Sequence, residues 1–173
     1  MFSVDLTLRA FGLLDRCRAA GLKIVTAESC TGGLVAALLT EIPGSSAVME
    51  RGFVTYSNAA KQECLGVPAD TIRTHGAVSE ETARAMAEGA LNASHADIAI
   101  SITGVAGPDG GTPEKPVGLV WFACARRGGA TAARSHRFGD PGRGSVRLAS
   151  VGAALAFLEA AAEAASPRPK ERS

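Results

Sequence analysis

The sequence lacks an excess of charge of either sign. Its 18 Lys and Arg stand against 17 Asp and Glu, a net charge of +1. Non-specific nucleic-acid binding needs a basic face, so strong nucleic-acid binding is not expected. Aromatic residues are few while Ala and Gly are plentiful, the composition of a globular protein. No apolar run approaches the roughly 20 residues that cross a bilayer, so no membrane partner is expected. Met1 to Arg9 carries Asp5 and has no basic start followed by an apolar core. No secretory signal is expected there, and the expected setting is the cytoplasm. Cys17, Cys30, Cys64 and Cys124 form no C-x-x-C pair, and His75, His95 and His136 lie far apart. Reduced, mostly buried thiols and no metal are the expectation. Also missing are G-x-x-x-x-G-K-[ST], G-x-G-x-x-G after a strand, H-E-x-x-H and G-x-S-x-G.

What is present fits one domain over residues 1–165, followed by a charged, Pro-containing tail, 166–173, expected to be disordered. Val4, Leu8, Phe11, Leu14 and Cys17 recur at helical spacing, and Gly21 can end that helix. Leu22 to Ala27 reads as a buried strand and Leu34 to Leu39 as the body of a helix. Val48 to Tyr56 is the next strand. Asn58 is placed as the N-cap of a short helix, Ala59 to Leu65, and Asp70 to Thr74 forms a further helical turn. Ser79 caps a helix whose first turn holds Glu80 and Glu81 and which runs to about Asn92. Asp97 to Thr103 is a strand, Gly104 to Pro116 a long Gly/Pro loop, and Val117 to Ala125 a strand. A turn at Arg126 to Gly129 leads into a polar edge strand, Thr131 to Phe138. Ser145 caps an Ala-rich helix to about Ala165. This order predicts an α/β domain, with helices on both faces of a mixed sheet that ends in an antiparallel hairpin.

The chemistry centres on Thr26-Ala27-Glu28-Ser29-Cys30-Thr31-Gly32-Gly33, a strand-to-helix turn. Free N–H groups at such a turn favour an anion or a nucleophile, although Ser and Thr there can equally be helix caps. Lys61 falls in the first turn of its helix, where the dipole disfavours a cation. Shielded from water, it would have a lowered pKa and could serve Ser29 as a base; exposed, it would be an ordinary surface lysine. Tyr56, the only tyrosine, could relay a proton or fix the lysine. Cys30 is a rival nucleophile, with burial as a small apolar residue the better reading. Glu28 could orient Lys61 or a ligand, or be a surface carboxylate. In open α/β sheets ligands sit at the carboxyl ends of strands. The Ser29 turn, the Tyr56–Lys61 connection and the Gly104–Pro116 loop should therefore meet there. Thr103 and the glycines of that loop suit a phosphate or sugar, and Arg143 is the best cation for a phosphate.

Four stretches together carry a resemblance. They are Ala27-Glu28-Ser29-Cys30-Thr31-Gly32-Gly33, Tyr56-Ser57-Asn58-Ala59-Ala60-Lys61, His75-Gly76-Ala77-Val78-Ser79-Glu80, and the run from Thr103-Gly104 through Lys115-Pro116-Val117-Gly118. Over roughly residues 5 to 160 the chain resembles the CinA carboxy-terminal domain family, the nicotinamide mononucleotide deamidases. The resemblance implies a three-layer α/β/α sandwich and hydrolysis of the carboxamide of nicotinamide mononucleotide to nicotinic acid mononucleotide and ammonia. It implies Ser29 as nucleophile, Lys61 as its base and Tyr56 as an assistant. Thr31, Gly32, Gly33, Thr103, Gly104, Gly107 and Arg143 would contact the substrate. It implies a homo-oligomer, a dimer first, with no metal or other cofactor. Two departures stand out. Pro141-Gly142 separates Gly139-Asp140 from Arg143. The amino-terminal domain of many relatives, similar to molybdopterin-binding proteins, has no counterpart in this sequence, so only the amidase activity carries over. The competing expectation is a non-catalytic nucleotide- or partner-binding module of the competence and DNA-damage type.

Overall fold

A computed structural model describes residues 2–165; the tail expected to be disordered, 166–173, lies outside them. The elements follow in order as α1 (Val4–Ala20), β1 (Ile24–Glu28), α2 (Leu34–Thr40), a 3-10 turn (Ser45–Ala47), β2 (Met49–Val54), α3 (Asn58–Leu65), α4 (Ala69–His75), α5 (Glu80–Asn92), β3 (Ile98–Gly104), β4 (Leu119–Arg126), β5 (Ala132–Arg137) and α6 (Arg143–Ala165). The five strands form one sheet in the order β2-β1-β3-β4-β5. The β2–β1 and β1–β3 pairs are parallel, and β3–β4 and β4–β5 antiparallel. This is the expected mixed sheet with a terminal hairpin.

The strands show why two faces need covering. All five residues of β1 are buried, as are the first six of β3, the continuous burial expected of strands sandwiched between helices. Successive side chains point to opposite faces. Ile24, Ile98, Ile100, Ile102, Val120 and Phe122 join α1, α2 and α6 in one core. Val25, Ala27, Ala99, Ala123 and Ala125 join α3, α4 and α5 in the other. The second set is smaller, which lets α5 approach closely: Ser101 Oγ donates to the Ala83 carbonyl at 2.6 Å. The fold is therefore an α/β/α sandwich.

Helix ends explain most boundaries. Ser3 and Gly21 close α1, and Ser79 caps α5 at the expected residue. Two caps differ from expectation. Ser57, not Asn58, caps α3, its hydroxyl accepting from Ala60 N–H at 3.0 Å. The last helix begins at Arg143, so Ser145 lies inside its first turn. This helix also corrects the expectation about apolar runs. It has 23 residues and a mean hydropathy of 1.5 over its most apolar window, the length and composition of a membrane span. Here Val146, Val151, Ala154, Leu155, Phe157 and Leu158 are buried in the core it shares with α1, α2 and the sheet.

Candidate active site

The strand order reverses at β1. From β1 the chain runs through α2 to β2 on one side, while β3 leads to β4 on the other. Such a switch point leaves a crevice at the carboxyl ends of the two strands. A cleft of about 300 Å³ lies there, lined by Ser29, Tyr56, Lys61, Thr103, Gly107 and Arg143 among others. The Ser29 turn, the loop into α3, the Gly-rich loop and the start of α6 thus meet, as the strand order dictates. The 77–78 segment joins them.

Ser29 follows β1 directly, and its N–H donates to the Ile102 carbonyl at 2.9 Å, which anchors the turn to β3. Lys61 is 1% exposed. Its Nζ lies 3.0 Å from Ser29 Oγ, 2.9 Å from the Thr55 carbonyl and 3.4 Å from the Tyr56 carbonyl. Burial holds its ammonium below the ordinary lysine range, with neighbouring Cys30 opposing part of that shift. Cys30 is buried, and burial pushes its thiol up to about 11. At neutral pH it is protonated and a poor nucleophile. Cys17, Cys30 and Cys124 are buried free thiols and Cys64 is an exposed one.

Glu28 takes neither role considered for it. Its carboxylate is fully buried and accepts from the N–H groups of Gly33 (3.1 Å), Val35 (3.0 Å) and Ala36 (2.8 Å). It is the cap of α2, reaching forward from the preceding strand because Gly33 has no side chain to do so. The donors at that helix start are therefore occupied. The Cys30 and Thr31 N–H groups face the Cys30 sulfur, and their hydrogen bonds offset part of what burial does to the thiol.

The expected substrate contacts divide. Thr103, Gly104, Gly107 and Arg143 line the cleft; Thr31, Gly32 and Gly33 do not. Thr31 is fully buried behind the turn, its carbonyl accepting from Arg147 at 2.9 Å. Gly32 N–H donates to the Ser29 carbonyl at 3.0 Å and Gly33 N–H to Glu28. Thr103 Oγ1 donates to the Ala77 carbonyl at 2.7 Å and so ties β3 to the 77–78 segment. A Cβ at Gly104 would lie 2.7 Å from the Leu119 carbonyl oxygen, so close packing on β4 demands glycine there. Pro141-Gly142 does not remove Arg143 from the site. Its Nη1 donates to the Gly107 carbonyl at 2.9 Å and its Nη2 to the Tyr56 hydroxyl at 2.8 Å. Tyr56 touches Lys61 only through its backbone carbonyl. Asn58 and Asp109 also line the cleft. Asn58 was expected only as a cap, and its place two residues beyond Tyr56 was the available signal; Asp109 carries none beyond lying in the Gly-rich loop.

Among the described residues, no three His, Cys, Asp or Glu side chains gather to hold a metal ion.

The family model described as the CinA C-terminal domain matches residues 9–162. The nicotinamide-nucleotide amidohydrolase PncC of Escherichia coli K12 is 54% identical over 142 residues, 82% of this chain and 85% of that protein. A CinA-like protein of Akkermansia muciniphila is 60% identical over 110 residues, 64% of this chain but only 27% of the longer relative. The crystal structure of the competence/damage inducible protein CihA from Agrobacterium tumefaciens matches with a TM-score of 0.91. It is 51% identical and covers 92% of this chain and 97% of its own.

Proposed function

The chain belongs to the CinA C-terminal domain family, and from that membership we propose that it is a nicotinamide-nucleotide amidohydrolase, converting nicotinamide mononucleotide and water to nicotinic acid mononucleotide and ammonia. The observation that carries the reading is the 3.0 Å approach of Lys61 Nζ to Ser29 Oγ within the cleft. A neutral lysine amine has two N–H donors and one lone pair. The Thr55 and Tyr56 carbonyls match the two donors, and the lone pair then faces the Ser29 hydroxyl. Burial favours that neutral form.

In this mechanism Lys61 takes the hydroxyl proton as Ser29 Oγ bonds to the carboxamide carbon. The carbonyl electron pair moves onto oxygen, within reach of the backbone N–H groups that follow Ser29. As the carbonyl re-forms, the C–N bond breaks and the Lys61 ammonium returns its proton to the departing nitrogen, which leaves as ammonia. Water attacks the resulting ester. Lys61 accepts a proton from that water and passes it to Ser29 Oγ, releasing the carboxylate. Arg143 and the N–H groups of the Gly-rich loop hold the phosphate.

The test is ammonia release from nicotinamide mononucleotide by the purified protein and its Ser29→Ala variant. Turnover is expected to fall by about 10⁴-fold or more in the variant, with nucleotide binding retained. Normal turnover by Ser29→Ala would end the serine mechanism. Hydrolysis of other amides but not this nucleotide would end the substrate assignment.

A further inference from the structure

We infer that the Tyr56 hydroxyl is a positioning group for Arg143, holding the guanidinium at the cleft rim so that the site selects an amide carrying a phosphate over the same amide without one. The inference rests on the amidohydrolase reading and concerns how that substrate is chosen. Tyr56 presents its two polar ends to different places. Its backbone carbonyl faces inward to Lys61 Nζ at 3.4 Å. The residue is 59% exposed, and its hydroxyl lies 2.8 Å from Arg143 Nη2. Among the described residues that is the hydrogen bond of the phenol; neither Ser29 Oγ nor Lys61 Nζ touches it. The direct partner of this hydroxyl is thus the cation at the cleft rim, the place of a positioning group.

Arg143 needs a brace. It is the first residue of α6 and is exposed, so nothing in the helix limits its long side chain. Two anchors from separate segments do. Nη1 donates to the Gly107 carbonyl at 2.9 Å and Nη2 to Tyr56. The Gly107 anchor demands glycine, because φ is +79° and a Cβ there would lie 2.7 Å from Val117 Cγ1. A guanidinium has five N–H donors in a fixed plane, so two anchored donors leave three for an anion. An arginine held this way binds phosphate without first losing its rotational freedom. Removing the phenolic oxygen frees one arm of the fork and leaves the Ser29–Lys61 pair untouched.

The experiment compares wild type, Tyr56→Phe, Arg143→Ala and the double variant on nicotinamide mononucleotide and on nicotinamide riboside, which lacks the phosphate. Tyr56→Phe is expected to raise KM for the nucleotide about fivefold to tenfold. kcat and KM for the riboside should move by less than about twofold, within the coupling noise of independent sites, and the pH at which kcat rises should stay where it is. Arg143→Ala should erase the preference for the nucleotide, and adding Tyr56→Phe to it should cost nothing more. A lowered kcat with a shifted pH profile on both substrates would overturn the inference, as would fully additive losses. Should no amide be hydrolysed at all, the amidohydrolase reading fails by itself. Nucleotide binding by Ser29→Ala and Ser29→Ala/Tyr56→Phe, measured by calorimetry, then still decides the brace: a fivefold or greater loss supports it and equal affinity overturns it.

Discussion

Lys61 is 1% exposed. A charged ammonium so placed loses its hydration, and hydrogen bonds to two carbonyls and one hydroxyl return only part of it. The folded state therefore prefers the neutral amine, and the pKa falls below the usual lysine value near 10.4. Between the lowered folded pKa and that unfolded value, the unfolded chain binds more protons. Stability should then rise with pH across this window, and a penalty should persist below the folded pKa. Lys61→Met removes the charge and keeps the volume. It is expected to abolish hydrolysis yet leave the protein as stable as wild type or more so at pH 7, by about 1–3 kcal/mol. It should also flatten the alkaline rise. Urea denaturation from pH 7 to 10 measures both effects; a destabilised variant with the rise intact would contradict the account.

At the scale of elements, the site depends on how two short helices start. The first, α2, has seven residues and no cap of its own, so it cannot persist alone. The buried Glu28 carboxylate supplies the cap with three charge-assisted hydrogen bonds. The other, α3, carries Lys61 and has an ordinary cap in Ser57. Glu28→Gln keeps the shape but brings an NH₂ group against the N–H donors. It should cost about 2–4 kcal/mol, the toll of leaving buried donors unpaired. Ser57→Ala should cost only about 1 kcal/mol. Chemical denaturation of the two variants side by side checks the order, and equal losses would show that the carboxylate is not what holds α2.

At the scale of the molecule, the cleft is closed by groups from residues 29, 61, 107 and 143, which meet only when both halves of the sheet and α6 are in place. A ligand there should stabilise the whole fold and not a single segment. In the Ser29→Ala variant, in which the proposed hydrolysis is blocked, nicotinamide mononucleotide at 100 times its Kd should add about 2.7 kcal/mol. For a chain of this size that raises Tm by roughly 5–10 °C. Calorimetric scans with and without the nucleotide read this directly; an unchanged Tm would mean that the folded protein does not bind it.

Much of this was legible in the chain itself. Punctuation located the start of α5 to the residue, because Ser79 followed by Glu80 and Glu81 satisfies a helix start by local contacts alone. The same local logic marked Gly21 as the end of α1 and gave the mixed sheet with its hairpin. The lysine at a helix start pointed to Ser29, since a cation against a dipole is a local anomaly. What local pattern cannot carry is which way a polar group turns when several partners compete. Glu28 turned forward to α2, the Thr31 to Gly33 segment turned behind Ser29, and the Tyr56 hydroxyl met Arg143 across a separation of 87 residues. Those choices follow from the packing of β1 against β3 and of α6 over the sheet, because only the closed fold sets which donors and acceptors come within 3 Å of one another.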